Sequence, residues 1–207
     1  SSPRSDPEVY EFERHTMSMD FDVDDWREEL EAHREKKDEK FGVPHSSPLG
    51  PEARREFDGL DYFEPDPDYR VEATVELDES DETVPMETTA DGEELYGRAA
   101  RLHFELPDQR GETDERTLVG YHRVDQSEGS LFIPFRDKTT GQQSYPGGRY
   151  MELHYDGQLE DGFTFALDFN LAYNPFCAYS ETYECPLPPQ ENWLEVAIPA
   201  GERYDGE

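Results

Sequence analysis

A mainly β, antiparallel fold is predicted by three features of this sequence. Past Tyr69 apolar and polar residues alternate with a period of two, run after run. Gly-containing turn signals separate those runs. Aromatic residues make up 13% of the chain, enough large rings to build a core although hydrophobic residues reach only 33%. Strands with one apolar and one polar face, joined by short turns, pair antiparallel. Six or seven of them imply a meander forming a curled sheet or a partly closed barrel or sandwich.

The elements follow in chain order. Residues 1–20 carry Ser, Pro and Asp without periodicity and read as a flexible arm; 21–207 read as a single domain. Its first part, 21–57, is helical. Asp24 or Asp25 caps a helix on which Trp26, Leu30, His33 and Lys37 share one stripe. That stripe has few apolar groups, so the helix lies on the surface of the body, held by Trp26 and Leu30. Gly42, Pro44, Pro48, Gly50 and Pro51 end it, and a helical turn follows at 52–57.

The β body spans 69–169. Val71, Ala73, Val75 and Leu77 form one apolar stripe, and Ala100, Leu102, Phe104 and Leu106 the next. Leu118, Gly120, His122 and Val124 oppose Val119, Tyr121 and Arg123. Leu131, Ile133 and Phe135 follow, then Met151, Leu153 and Tyr155, then Phe163, Phe165, Leu167 and Phe169. Turns are marked by Asp91-Gly92, Thr140-Gly141, Pro146-Gly147-Gly148, Asp156-Gly157 and Asp161-Gly162. Residues 170–192 form a long Cys- and Pro-rich loop whose rings predict an ordered segment packed on the body. A final strand is expected at 193–198.

Asp and Glu number 51 against 19 Lys and Arg, a formal net charge of -32, and the acid is spread along the chain. Such a chain repels itself unless salt screens it, so the composition points to a halophilic, cytoplasmic protein. An acidic face for a basic partner is the alternative, but it would concentrate the charge. No Lys/Arg stripe suited to nucleic acid is present, no apolar run approaches a membrane span, and residues 1–10 lack a signal-peptide core.

A long motif runs Leu167-Asp168-Phe169-Asn170, Ala172-Tyr173-Asn174-Pro175, Cys177, Cys185-Pro186-Leu187-Pro188-Pro189, Asn192 and Ala200-Gly201-Glu202. Upstream it takes in Phe135-Arg136-Asp137, Thr140-Gly141, Tyr145, Gly148-Arg149-Tyr150, Gly59-Leu60, Tyr62-Phe63 and Asp66-Pro67-Asp68-Tyr69-Arg70. With these residues the chain resembles the domain-of-unknown-function 1684 family from about Trp26 onward. The resemblance implies a fold-level relation and a site, but no reaction. Leu171 stands where the family pattern often carries Arg, so a basic group there is not essential in this chain.

Candidate chemistry gathers at the same motif. Strands 148–155 and 163–170 are read as a pair, which brings Arg149 near Asp168 and Asn170. Asp168 beside Arg149 or Arg136 suits an acid/base or anchoring group; alternatively Asp168 and Asn170 hold the backbone of the loop. Tyr145, Arg149, Asp168, Asn170, Tyr173 and Asn174 are expected to line a loop-covered pocket for a small molecule, with Arg149 gripping an anionic group. Cys177 and Cys185 are read as a disulfide or packed thiols ahead of a reactive thiol, and as metal ligands last, because two cysteines do not complete a soft site. His103, His122 and His154 read as ordinary sheet histidines. No metal and no cofactor are expected. No phosphate loop, Gly-x-Ser-x-Gly elbow, His-Glu-x-x-His or Rossmann fingerprint occurs. Three readings follow: a small-molecule-binding domain first, an enzyme using Asp168 and Arg149 in the same pocket, or an interaction module using the aromatic loop.

Overall fold

The structure, a computed structural model, describes residues 22–80, 82–123 and 129–205; the arm expected at 1–20 lies outside the described residues. Helix α1 (Val23–Phe41) is capped by Asp22, not by Asp24 or Asp25. Asp22 Oδ1 accepts the amide hydrogens of Asp24 (2.9 Å) and Asp25 (3.1 Å). The other two acids therefore sit in the first turn, where they complement the positive helix end. Trp26, Leu30 and Phe41 are buried. A short helix α2 (Pro51–Glu56) begins with proline at a position whose N–H has no helical partner.

Seven strands follow: β1 (Arg70–Leu77), β2 (Thr83–Glu87), β3 (Glu93–Pro107), β4 (Thr113–Arg123), β5 (Ser130–Phe135), β6 (Arg149–His154) and β7 (Thr164–Asp168). Every pairing is antiparallel, in the order β6-β5-β4-β3-β1-β7, with β2 on β3. The long β3 changes partner halfway, giving Glu93–Gly97 to β2 and Ala100–Phe104 to β1. A register shift toward β4 between Arg98 and Ala100 marks the change. The sheet is a curled half-barrel, as alternation and turns predict.

The expected pairing of β6 with β7 is not what forms. β7 pairs with β1, and β6 with β5, so the two stand at opposite edges of the sheet. The chain leaving β7 spans the gap: Tyr150 and Tyr173 exchange backbone hydrogen bonds of 2.8 and 3.0 Å. This contact links the far ends of the curl.

The concave face carries the predicted stripes. Leu102, Phe104, Leu118, Leu131, Ile133, Phe135, Met151, Leu153, Phe165, Leu167 and Phe169 are buried in one cluster. Leu194, Val196, Ile198 and Ala200 fill the same core, so their alternation was a true signal. Residues 193–198 are nevertheless not a strand. They meet the sheet through one bridge, Arg136 to Trp193, and through single bonds. Leu194 N–H reaches Arg136 O (2.7 Å), and Lys138 N–H reaches Val196 O (3.0 Å). Ile198 N–H goes to the Asp137 carboxylate (2.7 Å) instead of a ladder.

A second buried cluster, Met86, Tyr96, Val119 and Tyr121, lies on the other face under the Pro-rich loop. Asn192, fully buried, fixes that loop. β4 and β5 share one registered pair, Tyr121 with Phe132, and beyond it the Asn192 side chain bridges Val119 on β4 to Pro134 on β5. Proline has no N–H to give. The Asn192 amide takes its place: Nδ2 donates to Val119 O (2.9 Å) and Pro134 O (2.8 Å), and Oδ1 accepts from Val119 N–H (2.8 Å). Asn192→Leu strands three buried backbone groups and is expected to destabilise the fold by about 3 kcal/mol, read as a lower denaturant midpoint at constant salt. An unchanged midpoint would refute the clamp.

Candidate functional site

The residues expected in one pocket fall into three places. Arg149 is fully buried. Its Nη1 donates to Ala200 O and Glu202 O, and its Nη2 to Ile198 O (2.9 Å) and Asp137 Oδ1 (3.4 Å). The rings of Phe135 and Phe63 flank it at 5.3 and 5.8 Å. A guanidinium fan suits this convergence of carbonyls, because its donors lie fixed in one plane. Arg149 thus ties β6 to the chain's last turn, with no exposed surface toward a ligand.

Asp168 is paired elsewhere. Trp26 Nε1 donates to its Oδ2 (2.7 Å), and Asn170 donates to its Oδ1 through N–H (2.9 Å) and Nδ2 (2.8 Å). Burial pushes the carboxyl up from the usual aspartate range, while the bonds from Trp26 and Asn170 and the charge of Arg70 oppose the shift. Asn170 also closes a two-way clamp on the backbone of Asp66 (3.0 and 2.8 Å). Asp168 thus holds the loop's first turn through Asn170 N–H, Asn170 ties that turn to the segment at Asp66, and helix α1 docks on Asp168 through Trp26. The anticipated Asp168–Arg149 pair does not form, because Asp137 takes the arginine.

Asn174 binds inward as well, donating from Nδ2 to Tyr179 Oη (3.1 Å) and Arg203 O (2.9 Å). Its backbone N–H reaches Glu202, whose carboxylate also holds Lys37 and Tyr179. Tyr145 donates to Cys177 Sγ at 3.6 Å and packs edge-on against Tyr204. Cys177 and Cys185 are free thiols.

Of the six, Tyr173 lines the cleft that the described residues form over β3–β6. This cavity, of about 300 Å³, opens over the convex face of β3–β6 and is covered by residues 184–186. Its wall is a relay of rings. Tyr121 meets Tyr96 at 6.4 Å, Tyr96 stacks on Phe132 at 5.5 Å, Phe132 meets Tyr150 edge-on at 4.7 Å, and Tyr150 meets Tyr173 at 5.9 Å. The Tyr150 hydroxyl donates to Pro186 O, which anchors the cover.

Carboxylates edge the rings. Glu94 accepts from Tyr96 Oη (2.9 Å) and lies 3.5 Å from Arg123. Glu184 accepts from Thr88 Oγ1 (2.6 Å). Glu152 accepts from Tyr173 Oη (3.0 Å) and lies 3.7 Å from His154 Nε2. Protein surrounds Glu152, yet its side chain stays 40% exposed because it faces the open cleft. Burial favours its neutral acid. The bonds from His154 and Tyr173 and the charges of His154 and Lys37 outweigh that and hold it below the usual glutamate range. An ionised carboxylate thus stands among aromatic rings.

Glu94, Tyr96, Tyr121, Phe132, Tyr150, Glu152 and His154 were not anticipated as site residues. A signal existed for three of the rings: Tyr121, Phe132 and Tyr150 alternate with the core stripe, whereas Tyr96 shares the parity of Ala100 and Leu102 and changes face at the register shift between Arg98 and Ala100. Rings on the supposedly solvated face of a sheet imply a cover. Among the described residues no helix is long and apolar enough to cross a membrane. No cluster of three or more His, Cys, Asp or Glu among them is placed to hold a metal ion.

Fold and site define a curled antiparallel half-barrel protein whose convex face carries an aromatic, acid-edged cleft. Residues 55–203 match the family described as protein of unknown function (DUF1684), and the chain belongs to that family. It is similar to the solution NMR structure of an uncharacterized protein of Haloarcula marismortui, at 54% identity and a TM-score of 0.69, over 91% of this chain and 100% of that one. No curated protein matches it.

Proposed function

We propose that this protein binds a compact organic cation, an ammonium or guanidinium group on a small apolar body, in the cleft over β3–β6. The observation that carries the reading is the relay of five rings edged by three carboxylates. Aromatic faces are the negative pole of the ring quadrupole and attract cations. Lys37 already uses this property, its Nζ lying 4.9 Å over the Tyr173 ring. Among the charged lining residues Arg123 is matched by Glu94 and His154 lies beside Glu152, so Glu184 tips the cleft toward negative charge. A cavity of about 300 Å³ stands at the small end of ligand sites. The anion first expected at Arg149 has no support, since that guanidinium is enclosed by its own chain.

Calorimetric titration in molar KCl tests the reading. Choline is expected to bind more tightly than its neutral carbon isostere. Glu152→Gln keeps an acceptor for Tyr173 but removes the charge, so it is expected to weaken choline about tenfold, or ~1.4 kcal/mol, while sparing the isostere. Equal affinity for choline and its isostere would defeat the proposal.

The formal charge of -32 and the haloarchaeal neighbour support a second part of the reading, that the protein works in a salt-rich cytoplasm.

A further inference from the structure

We infer that Cys177 and Cys185 form a peroxide-reactive dithiol, in which Cys177 attacks the oxidant and Cys185 closes the disulfide.

The chain doubles back between them. Cys177 sits on the short turn Phe176–Ala178, partly exposed, while Cys185 is buried and bonded through its backbone to Thr89. Their side chains are hydrogen-bonded to each other, with Cys185 donating. Two further donors converge on the Cys177 sulfur: the Tyr145 hydroxyl at 3.6 Å and the Thr89 hydroxyl. Thr89 is itself held, accepting at Oγ1 from Cys185 N–H (3.2 Å). Three donors around one sulfur favour its thiolate, the form that attacks. The Cys185 bond foremost, against burial and with Tyr145 and Thr89 adding to it, brings Cys177 down to about 6, while the same bond pushes Cys185 up. The exposed sulfur is thus the nucleophile, and the buried one keeps the proton. The loop has anchors besides the thiols, in Asn192, Tyr150 and the Thr88–Pro186 bridge.

The step balances with a hydroperoxide as oxidant. The Cys177 thiolate attacks the terminal peroxide oxygen; an S–O bond forms and the O–O bond breaks. The departing alkoxide or hydroxide leaves as alcohol or water with a proton from solvent, and Cys177 becomes a sulfenic acid. Cys185, giving up its proton, attacks that sulfur; the S–S bond forms and hydroxide leaves, taking the proton as water. Two electrons pass from the dithiol to the peroxide.

Intact-mass analysis of the native protein, treated with hydrogen peroxide in molar KCl, tests this. The expected product has lost two hydrogens, carries an intrachain Cys177–Cys185 bond, and regains its mass with dithiothreitol. Its formation at neutral pH is expected to be on the order of tenfold faster than oxidation of free cysteine. Alkylation of the unmutated protein is expected to label Cys177 ahead of Cys185, which keeps the test independent of any variant's folding. In Cys185→Ser, Cys177 is expected to stop at a sulfenic acid trapped by dimedone. Disulfides between chains, addition of oxygens without loss of hydrogens, or faster labelling of Cys185 would each overturn the inference.

Discussion

Arg149→Met is expected to destabilise this protein by about 3–5 kcal/mol, the range for breaking a buried ion pair by removing one partner. The guanidinium binds the carbonyls of Ile198, Ala200 and Glu202 and the Asp137 carboxylate. Removing it takes that donor from the carbonyls of Ala200 and Glu202 in a volume closed to water, and leaves Ile198 O with only Ala200 N–H (2.8 Å). Asp137 would remain bonded to Thr139 and to Ile198 N–H (2.7 Å), but its charge would be unbalanced. Lysine is a point donor and cannot reach the same fan, so Arg149→Lys is expected to restore less than half of the loss. Adding Asp137→Asn to Arg149→Met is expected to recover part of it by neutralising the stranded carboxylate. Denaturant midpoints at fixed KCl measure all three. A fully stable Arg149→Met would show that the residue does not lock the C-terminal chain.

The largest response to solution conditions is expected from salt. The formal charge is -32, and several acids face their own kind at the closest range the fold offers. Glu87 stands directly opposite Glu93, and Glu105 opposite Glu115. Like charges directly across a strand pair are destabilising. Cations are too few to balance them. The Debye length shrinks from roughly 10 Å at 0.1 M to about 3 Å at 1 M, which removes all but the shortest repulsions. The melting temperature is therefore expected to climb by on the order of 10 °C between dilute buffer and molar KCl, the shift that several kcal/mol produces in a chain of this size. A flat series would sink the halophilic reading.

Alternation made the strands legible, because a buried face imposes a period of two whatever the topology. Ala100, Leu102, Phe104, Leu131, Ile133 and Phe135 read correctly on that ground. Partner choice carries no local signal, so a short turn between β6 and β7 suggested a hairpin where β7 crosses to β1. The same blindness misled the reading of Arg149. Its partner was sought at Asp168, near in an imagined pair of strands, when Asp137 lay across a different loop. At 193–198 the periodicity was right and the element wrong, since burial on alternate residues needs an extended chain but not a ladder. The cleft was missed because Tyr121, Phe132 and Tyr150 lie in the phase that reads as solvent-facing, and because the register shift after Arg98 turns Tyr96 away from the stripe its parity suggests. Tyr150, Tyr173, Cys185 and Pro186 belong to both the motif and the cleft, but of these only Tyr173 had been read as lining a pocket.

The most direct test of the cleft is an amide-shift titration of isotope-labelled protein with tetramethylammonium in molar KCl. The account predicts saturable shifts confined to residues 94–96, 121–123, 130–132, 150–154, 173 and 184–186, with a midpoint raised about tenfold in Glu152→Gln. Shifts scattered over the acidic surface, rising linearly without saturation and unchanged in the variant, would contradict it.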